Sequence, residues 1–183
     1  MKKSTLFITI ISTLIILTII KFPTEIRFQN PNYNYLFLMS LFILLPISIF
    51  IKIYSSRNKL MWVLISLPIL FFSSIIILFI TSDLSDINTY SIDPSFELTK
   101  QVEYNNTLYK LYRTNGGATT DYGLILMKEN NLPLGLKLTK ILWEQYHENN
   151  ATLELIQPNK LKLEIQPYST HKKVNSIEFK LDN

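Results

Sequence analysis

The chain has no cysteine among its 183 residues. That removes a disulfide framework, a thiolate zinc site, a cysteine nucleophile and a lipid-modified cysteine. Histidine is nearly absent too, with only His147 and His171. A metal site from two histidines and scattered carboxylates lacks the spacing of known zinc motifs. A Ser or Thr nucleophile with His147 and Asp121 has no local signature such as G-x-S-x-G to support it. No cofactor, metal or catalytic set is therefore expected. Glycine is scarce as well: there are four, and Gly116, Gly117 and Gly123 fall in or beside one stretch, Asn115–Tyr122. Charge is missing from three long segments near the N-terminus, and those segments set the architecture.

Ser4–Ile20 carries no charge over seventeen residues, just enough to span a bilayer core at about 1.5 Å per residue. A cleaved signal peptide is the competing reading, but the run is long and no small-x-small site follows it. Further apolar runs cover about 35–53 and 60–80. Three transmembrane helices are expected, at about 4–20, 35–53 and 60–80. Between the first two, Phe22–Asn34 looks like a polar loop with Pro23 and Pro31, followed by Tyr33 and Tyr35 at an interfacial belt. No Asp, Glu, Lys, Arg or His lies inside a span, Lys52 falling at the end of the second, so nothing marks an ion or proton path. Pro46 and Ser48 on one span and Pro68 and Ser66 on the next sit at matched distances from the turn at Arg57. They read as helix-packing positions, or as paired kinks lining a small polar seam.

The net charge of +4 hides a split. Residues 1–80 carry a net +6 and residues 81–183 a net −2. The basic balance belongs to the membrane flanks, so nucleic acid is not an expected partner. Lys2, Lys3, Lys52, Arg57 and Lys59 fall on one side of the spans and Lys21 and Arg27 on the other. The positive-inside rule then puts the N-terminus in the cytoplasm and the C-terminal region outside it. The expected location is a bacterial cytoplasmic (inner) membrane, crossed several times.

Thr81–Pro94 has no periodicity and reads as a linker (81–94). From 95 to 183 the apolar spacing changes to two. Strands are expected at Phe96–Tyr104, Thr107–Arg113, Thr119–Lys128, Thr152–Ile156, Leu161–Ile165 and Ser176–Leu181, and a strand or a short mixed segment at Leu136–Trp143, with Asn105-Asn106 as a hairpin turn and Asn130–Gly135 as a loop. The fold class is thus α+β by segment: three transmembrane helices, then a small all-β domain, an antiparallel sandwich or half-open barrel.

Within that domain Gly116 and Gly117 supply turn chemistry between two strands. They would also let a ligand or partner approach the backbone, with Thr119, Thr120 and Asp121 at the rim. No G-x-x-x-x-G-K follows, so this is not a phosphate loop. Trp143, Tyr146 and His147 form an aromatic-polar cluster, either packed over the end of the core or exposed as a protein-binding anchor.

The run Leu108–Thr114 followed by Asn115-Gly-Gly-Ala-Thr-Thr-Asp-Tyr122 resembles an uncharacterised group of small bacterial envelope proteins, membrane- or lipid-anchored, that share a Gly-Ala-Thr-Thr motif on a strand-turn-strand unit. The likeness covers roughly 104–166, with Ile141–His147 and the hairpin Thr152–Ile165 downstream. It departs where this chain has Tyr104-Asn105-Asn106 in place of a Ser-Pro-Asp-Gly turn, and Leu124-Ile125-Leu126 in place of an Arg-Gly-Glu-like run. The resemblance implies an envelope location and a β fold, and no activity.

The expected function is a membrane-anchored binding or accessory protein whose β domain docks an unknown envelope protein, the lipid bilayer being its other partner. A small subunit of a membrane complex, or a toxin-immunity protein, acting through the helices is the alternative. An envelope enzyme is the third reading.

Overall fold

The computed structural model describes residues 3–20, 22–90, 93, 95–114, 122–148, 150–157, 159–166 and 175–181. The chain divides into two compact units, Met1–Phe22 with Asn30–Tyr90, and Pro23–Gln29 with Ser91–Asn183.

The first unit is helical: α1 (Lys3–Ile19), α2 (Pro31–Ser55) and α3 (Lys59–Tyr90). The start of α2 follows from its sequence. The Asn30 side chain accepts the Asn32 N–H at 3.0 Å, and Pro31 occupies the first turn, where its missing N–H costs nothing. Pro46 and Pro68 lie inside α2 and α3. Ile11 and Ile15 of α1, Leu41 and Phe42 of α2 and Ile80 of α3 make a buried cluster. Lys52, in the last turn of α2, is buried as well. Its Nζ donates to Thr5 Oγ1 at 2.5 Å and lies 5.5 Å from the Trp62 ring centroid.

Large apolar side chains also cover the outward faces of these helices; Phe50, Phe71, Phe72 and Phe79 are all exposed. A helix that is apolar all round belongs in a membrane or a large core. Two helices, Pro31–Ser55 and Lys59–Thr89, are long and apolar enough to cross a membrane; the apolar helix Ser4–Ile19 is shorter. Of the three spans expected, two meet that measure of length.

The segment expected as a linker, 81–94, is helical as far as Tyr90. Helix α3 runs on because Ile80, Leu84 and Ile87 keep a helical spacing and stay at least partly buried.

The second unit is a two-sheet antiparallel sandwich. The strands are β1 (Thr24–Phe28), β2 (Glu97–Tyr104), β3 (Thr107–Thr114), β4 (Gly123–Leu132), β5 (Leu136–Tyr146), β6 (Asn150–Gln157), β7 (Lys160–Gln166) and β8 (Asn175–Lys180). One sheet has the order β1-β5-β4-β3-β2 and the other β6-β7-β8. The polar loop expected over 22–34 is therefore part strand. Thr24, Ile26 and Phe28 alternate with Glu25 and Arg27, and Thr24–Phe28 pairs in register with Lys140–Leu136. Pro23 O accepts the Ile141 N–H and Gln29 N–H reaches Gly135 O, each at 2.8 Å, extending the ladder at both ends.

The core lies between the sheets. Tyr109, Leu111, Leu124 and Leu126 face Ala151, Leu153, Leu161, Leu163 and Ile165. The period-two spacing of Leu161, Leu163 and Ile165 gives one buried face, as their alternation with Lys162 and Glu164 requires. The β2–β3 turn is made by Asn105 and Asn106 at φ 48 and 59, the left-handed pair that a tight hairpin needs. Strand β4 continues to Leu132, so the loop expected from Asn130 shrinks to the turn Pro133–Gly135. At that turn Leu134 has φ 64 and its side chain is 93% exposed.

Candidate functional site

The outer face of the five-stranded sheet, opposite the core, carries a row of charges. On β4, Ile125, Met127 and Glu129 alternate with the core residues Leu124 and Leu126. On β3, Lys110 and Tyr112 alternate with Tyr109 and Leu111. Glu129 is 2% exposed, and both of its oxygens are engaged. Tyr112 Oη donates to Oε1 at 2.7 Å, Lys137 Nζ to Oε1 at 3.0 Å, and Lys110 Nζ lies 2.9 Å from Oε2. Phe96 packs edge-on against the Tyr112 ring at 5.9 Å, and the Arg27 guanidinium lies 5.0 Å from the Phe96 centroid. Arg27 is in turn paired with Glu25 at 2.6 Å. The row runs from β1 to β3 through four strands.

Burial alone would raise the Glu129 carboxyl. The Lys110 hydrogen bond, the Lys137 charge and the Tyr112 hydroxyl outweigh it and hold the group below its ordinary 4.5. Tyr112 moves the other way. Burial first, then the charge and hydrogen bond of Glu129, push its phenol well above its ordinary 10.0. Acid–base catalysis near neutrality needs groups tuned toward pH 7; these two are tuned away from it. The arrangement stores a fixed ion pair rather than a mobile proton.

A second constellation lies at the end of β3, β4 and β5. Gly123 pairs with Thr114 on one side and Tyr146 on the other. A Cβ on Gly123 would lie 2.8 Å from Thr114 Oγ1 and 3.4 Å from Tyr146 Cδ1, so the glycine makes room for both neighbours. Tyr146 is 59% exposed and Tyr122 46%. The Arg113 guanidinium lies 5.5 Å from the Tyr122 centroid and is paired with Glu97 at 2.5 Å. His147, at φ 63, is also exposed, and its N–H donates to Tyr122 O at 3.0 Å. Arg113 and Tyr146 here stand on paired strands, and Tyr122 and His147 flank them, joined to each other by that backbone bond.

The expected cluster of Trp143, Tyr146 and His147 is divided by the strand. Trp143 packs on the core with Leu142, whereas Tyr146, three residues on, points to the opposite face. His147 instead bonds Tyr122 through its backbone. Gly116, Gly117, Thr119, Thr120 and Asp121 lie outside the described residues, between Thr114 and Tyr122. In the helical unit, Ser48 and Ser66 are buried. Ser48 Oγ donates to Leu44 O at 2.6 Å and Ser66 Oγ to Val63 O at 2.7 Å. Neither acceptor is the carbonyl one turn before Pro46 or Pro68, so these hydroxyls do not compensate the prolines.

Glu129, Lys110, Lys137 and Tyr112 had a usable sequence signal. Period two on β4 places Glu129 in line with Ile125 and Met127, a carboxylate on an apolar row that demands a cationic partner. Among the described residues, no three His, Asp or Glu side chains gather as a metal site would require. No family model matches the chain, and neither a curated protein nor a solved structure is significantly similar to it.

Proposed function

We propose that this protein is a membrane-mounted binding module of the bacterial envelope. Its β sandwich docks a protein partner through the end bearing Arg113, Tyr122, Tyr146 and His147. The observation that carries the reading is the exposure of Tyr146 on the paired end of β5 and of Tyr122 just before β4, where its carbonyl accepts the His147 N–H. Tyrosine and arginine dominate interface hot spots, and side chains on fixed backbone lose little entropy on binding. The proposed docking surface includes the adjoining stretch Gly116–Asp121, on which this chain's resemblance to small envelope proteins rests. No catalysis and no cofactor form part of the proposal.

In this reading α1, α2 and α3 all cross the cytoplasmic membrane, with the N-terminus inside and the β domain outside. The pairing of β1 with β5 supports the even number of crossings between them, since strands of one sheet share one side of a bilayer. Lys52, Arg57 and Lys59 at the α2–α3 turn support a cytoplasmic turn. The alternative is a subunit acting through its helices, in which exposed Pro68 would face a partner while Ser48 and Ser66 are buried within the chain's own helical unit.

The test is a variant-dependent crosslink in cells. A photo-crosslinking residue at Tyr146 is expected to trap a discrete partner, with the adduct lost when Tyr122→Ala and Arg113→Ala are added. Deletion of residues 95–183 without any change in the phenotype of a null strain's complementation would defeat the proposal.

A further inference from the structure

The three-stranded sheet ends at β8, and the free side of that strand follows a definite pattern. Register with β7 sets Ile177 opposite Leu163 and Phe179 opposite Leu161, and the Leu181 N–H donates to Asn159 O at 2.8 Å. Hydrogen-bonded residues alternate along an antiparallel pair. Ile177, Phe179 and Leu181 therefore direct their N–H and C=O groups to β7, and Ser176, Glu178 and Lys180 direct theirs outward. Among the described residues no strand takes those outward groups. Side chains follow the same alternation: Ile177, Phe179 and Leu181 pack on the core, whereas Ser176, Glu178 and Lys180 are exposed. The other edge of this sheet, β6, and the edge β2 of the five-stranded sheet each carry a register shift, a device that discourages pairing. Strand β8 has neither a register shift nor a proline. Its two charges are of opposite sign. Glu178 pairs with Lys160 at 3.0 Å, while Lys180 stands opposite Lys160 in the ladder and has no ion pair among the described residues.

We infer that β8 pairs antiparallel with β8 of a second copy of this chain, about a twofold axis at Phe179, joining the two three-stranded sheets into one. A contact between identical surfaces has to be complementary to itself. Outward-directed residues have to meet one another for ladder bonds to form, which places the twofold on a residue rather than between two. Centred on Glu178, the two copies of that glutamate would face each other; centred on Lys180, the two lysines would. Centred on Ile177, Glu178 meets Ser176 and Lys180 meets no acid. Centred on Phe179, Glu178 of each copy faces Lys180 of the other, and Ile177 faces Leu181 on the core side. Each Glu178–Lys180 pair then exchanges both backbone bonds. Opposite charges directly across a ladder stabilise it and like charges destabilise it, so charge selects this register. The inference is independent of the docking end proposed above, which lies on the other sheet.

Because the chain has no cysteine, introduced thiols report alone. Two differently tagged full-length chains, one Glu178→Cys and the other Lys180→Cys, are co-expressed and oxidised with copper–phenanthroline before solubilisation. The inferred register brings these two positions to about 5.5 Å between Cα atoms, within disulfide reach. It holds two copies of 178, or two of 180, roughly 8 Å apart, beyond that reach. The reciprocal pair, Lys180 of the first chain with Glu178 of the second, stays intact. The expected result is a covalent dimer carrying both tags, absent when either cysteine chain is expressed by itself. Adding Lys180→Glu to the Glu178→Cys chain sets a glutamate against the remaining Glu178 and should lower the yield of that dimer. No mixed dimer, with both chains at parental level, overturns the inference. Equal crosslinking of Glu178→Cys by itself, or a yield that Lys180→Glu leaves unchanged, overturns the charge-matched register and the inference with it.

Discussion

At the scale of single residues, Glu129 and Gly123 carry the sharpest consequences. Glu129→Gln would leave Lys110 and Lys137, both mostly buried, without their counter-charge. Breaking a buried pair from one side costs about 3–5 kcal/mol, to be measured as loss of denaturant stability in detergent. The pH dependence has a definite sign. A carboxyl held below its ordinary 4.5 contributes stability that is present above that pH and lost as pH falls through the lower folded value. Acid unfolding of the parent should therefore show a steep limb below pH 4.5 that flattens in Glu129→Gln. Tyr112→Phe removes a hydrogen bond to a charged group and should cost about 1.5–3 kcal/mol. Gly123→Ala should destabilise by about 1–3 kcal/mol, the range for a forced steric insertion, and Thr114→Ala, which deletes the clashing Oγ1, should recover part of that loss. The glycine cluster was visible in the sequence, but the need for Gly123 was not. It arises from register with Thr114 and Tyr146, which are nine and twenty-three positions away.

Among the elements, the hairpins of the β domain were legible because each is written locally. The Asn105-Asn106 turn and the Leu161-Leu163-Ile165 alternation each contain their own evidence. Two elements were not. The polar continuation of α3 hides Leu84 and Ile87 among Ser, Asp and Asn, and only packing reveals that their spacing still counts. Strand β1 is five residues long, too short for alternation to stand out, and its partner lies more than a hundred positions away. The ladder bonds at Pro23 and Gln29 set its phase. In an antiparallel pair hydrogen-bonded residues alternate, so Glu25 and Arg27 direct their N–H groups toward β5 while Ile26 directs its N–H away. Glu25→Pro should release β1, and Ile26→Pro should be tolerated as an edge-strand proline. Hydrogen exchange at the β5 amides would distinguish them, with faster exchange in the first variant alone. Equal exchange in both would place the phase wrongly.

For the molecule as a whole, the division into an apolar helical part and a β domain was legible from composition, because charge-free runs and period-two alternation are long-range averages. The interleaving of the two units was not, since it depends on one short strand crossing from one to the other in sequence. That interleaving makes a topological demand. Cysteines placed at Ile26 and Glu103 should react with an impermeant maleimide from the same side of the cell membrane, and one at Asn58 only after permeabilisation. Opposite-sided labelling of Ile26 and Glu103 would be incompatible with a single sheet. There is also a consequence in time. Strand β1 leaves the ribosome roughly 110 residues before its partner β5, a delay of about 5–20 s at ordinary synthesis rates. Through that interval it waits unpaired while α2 and α3 are made. The largest sheet can therefore close only late in synthesis, and a nascent chain arrested before β5 would expose β1 as bait for a chaperone.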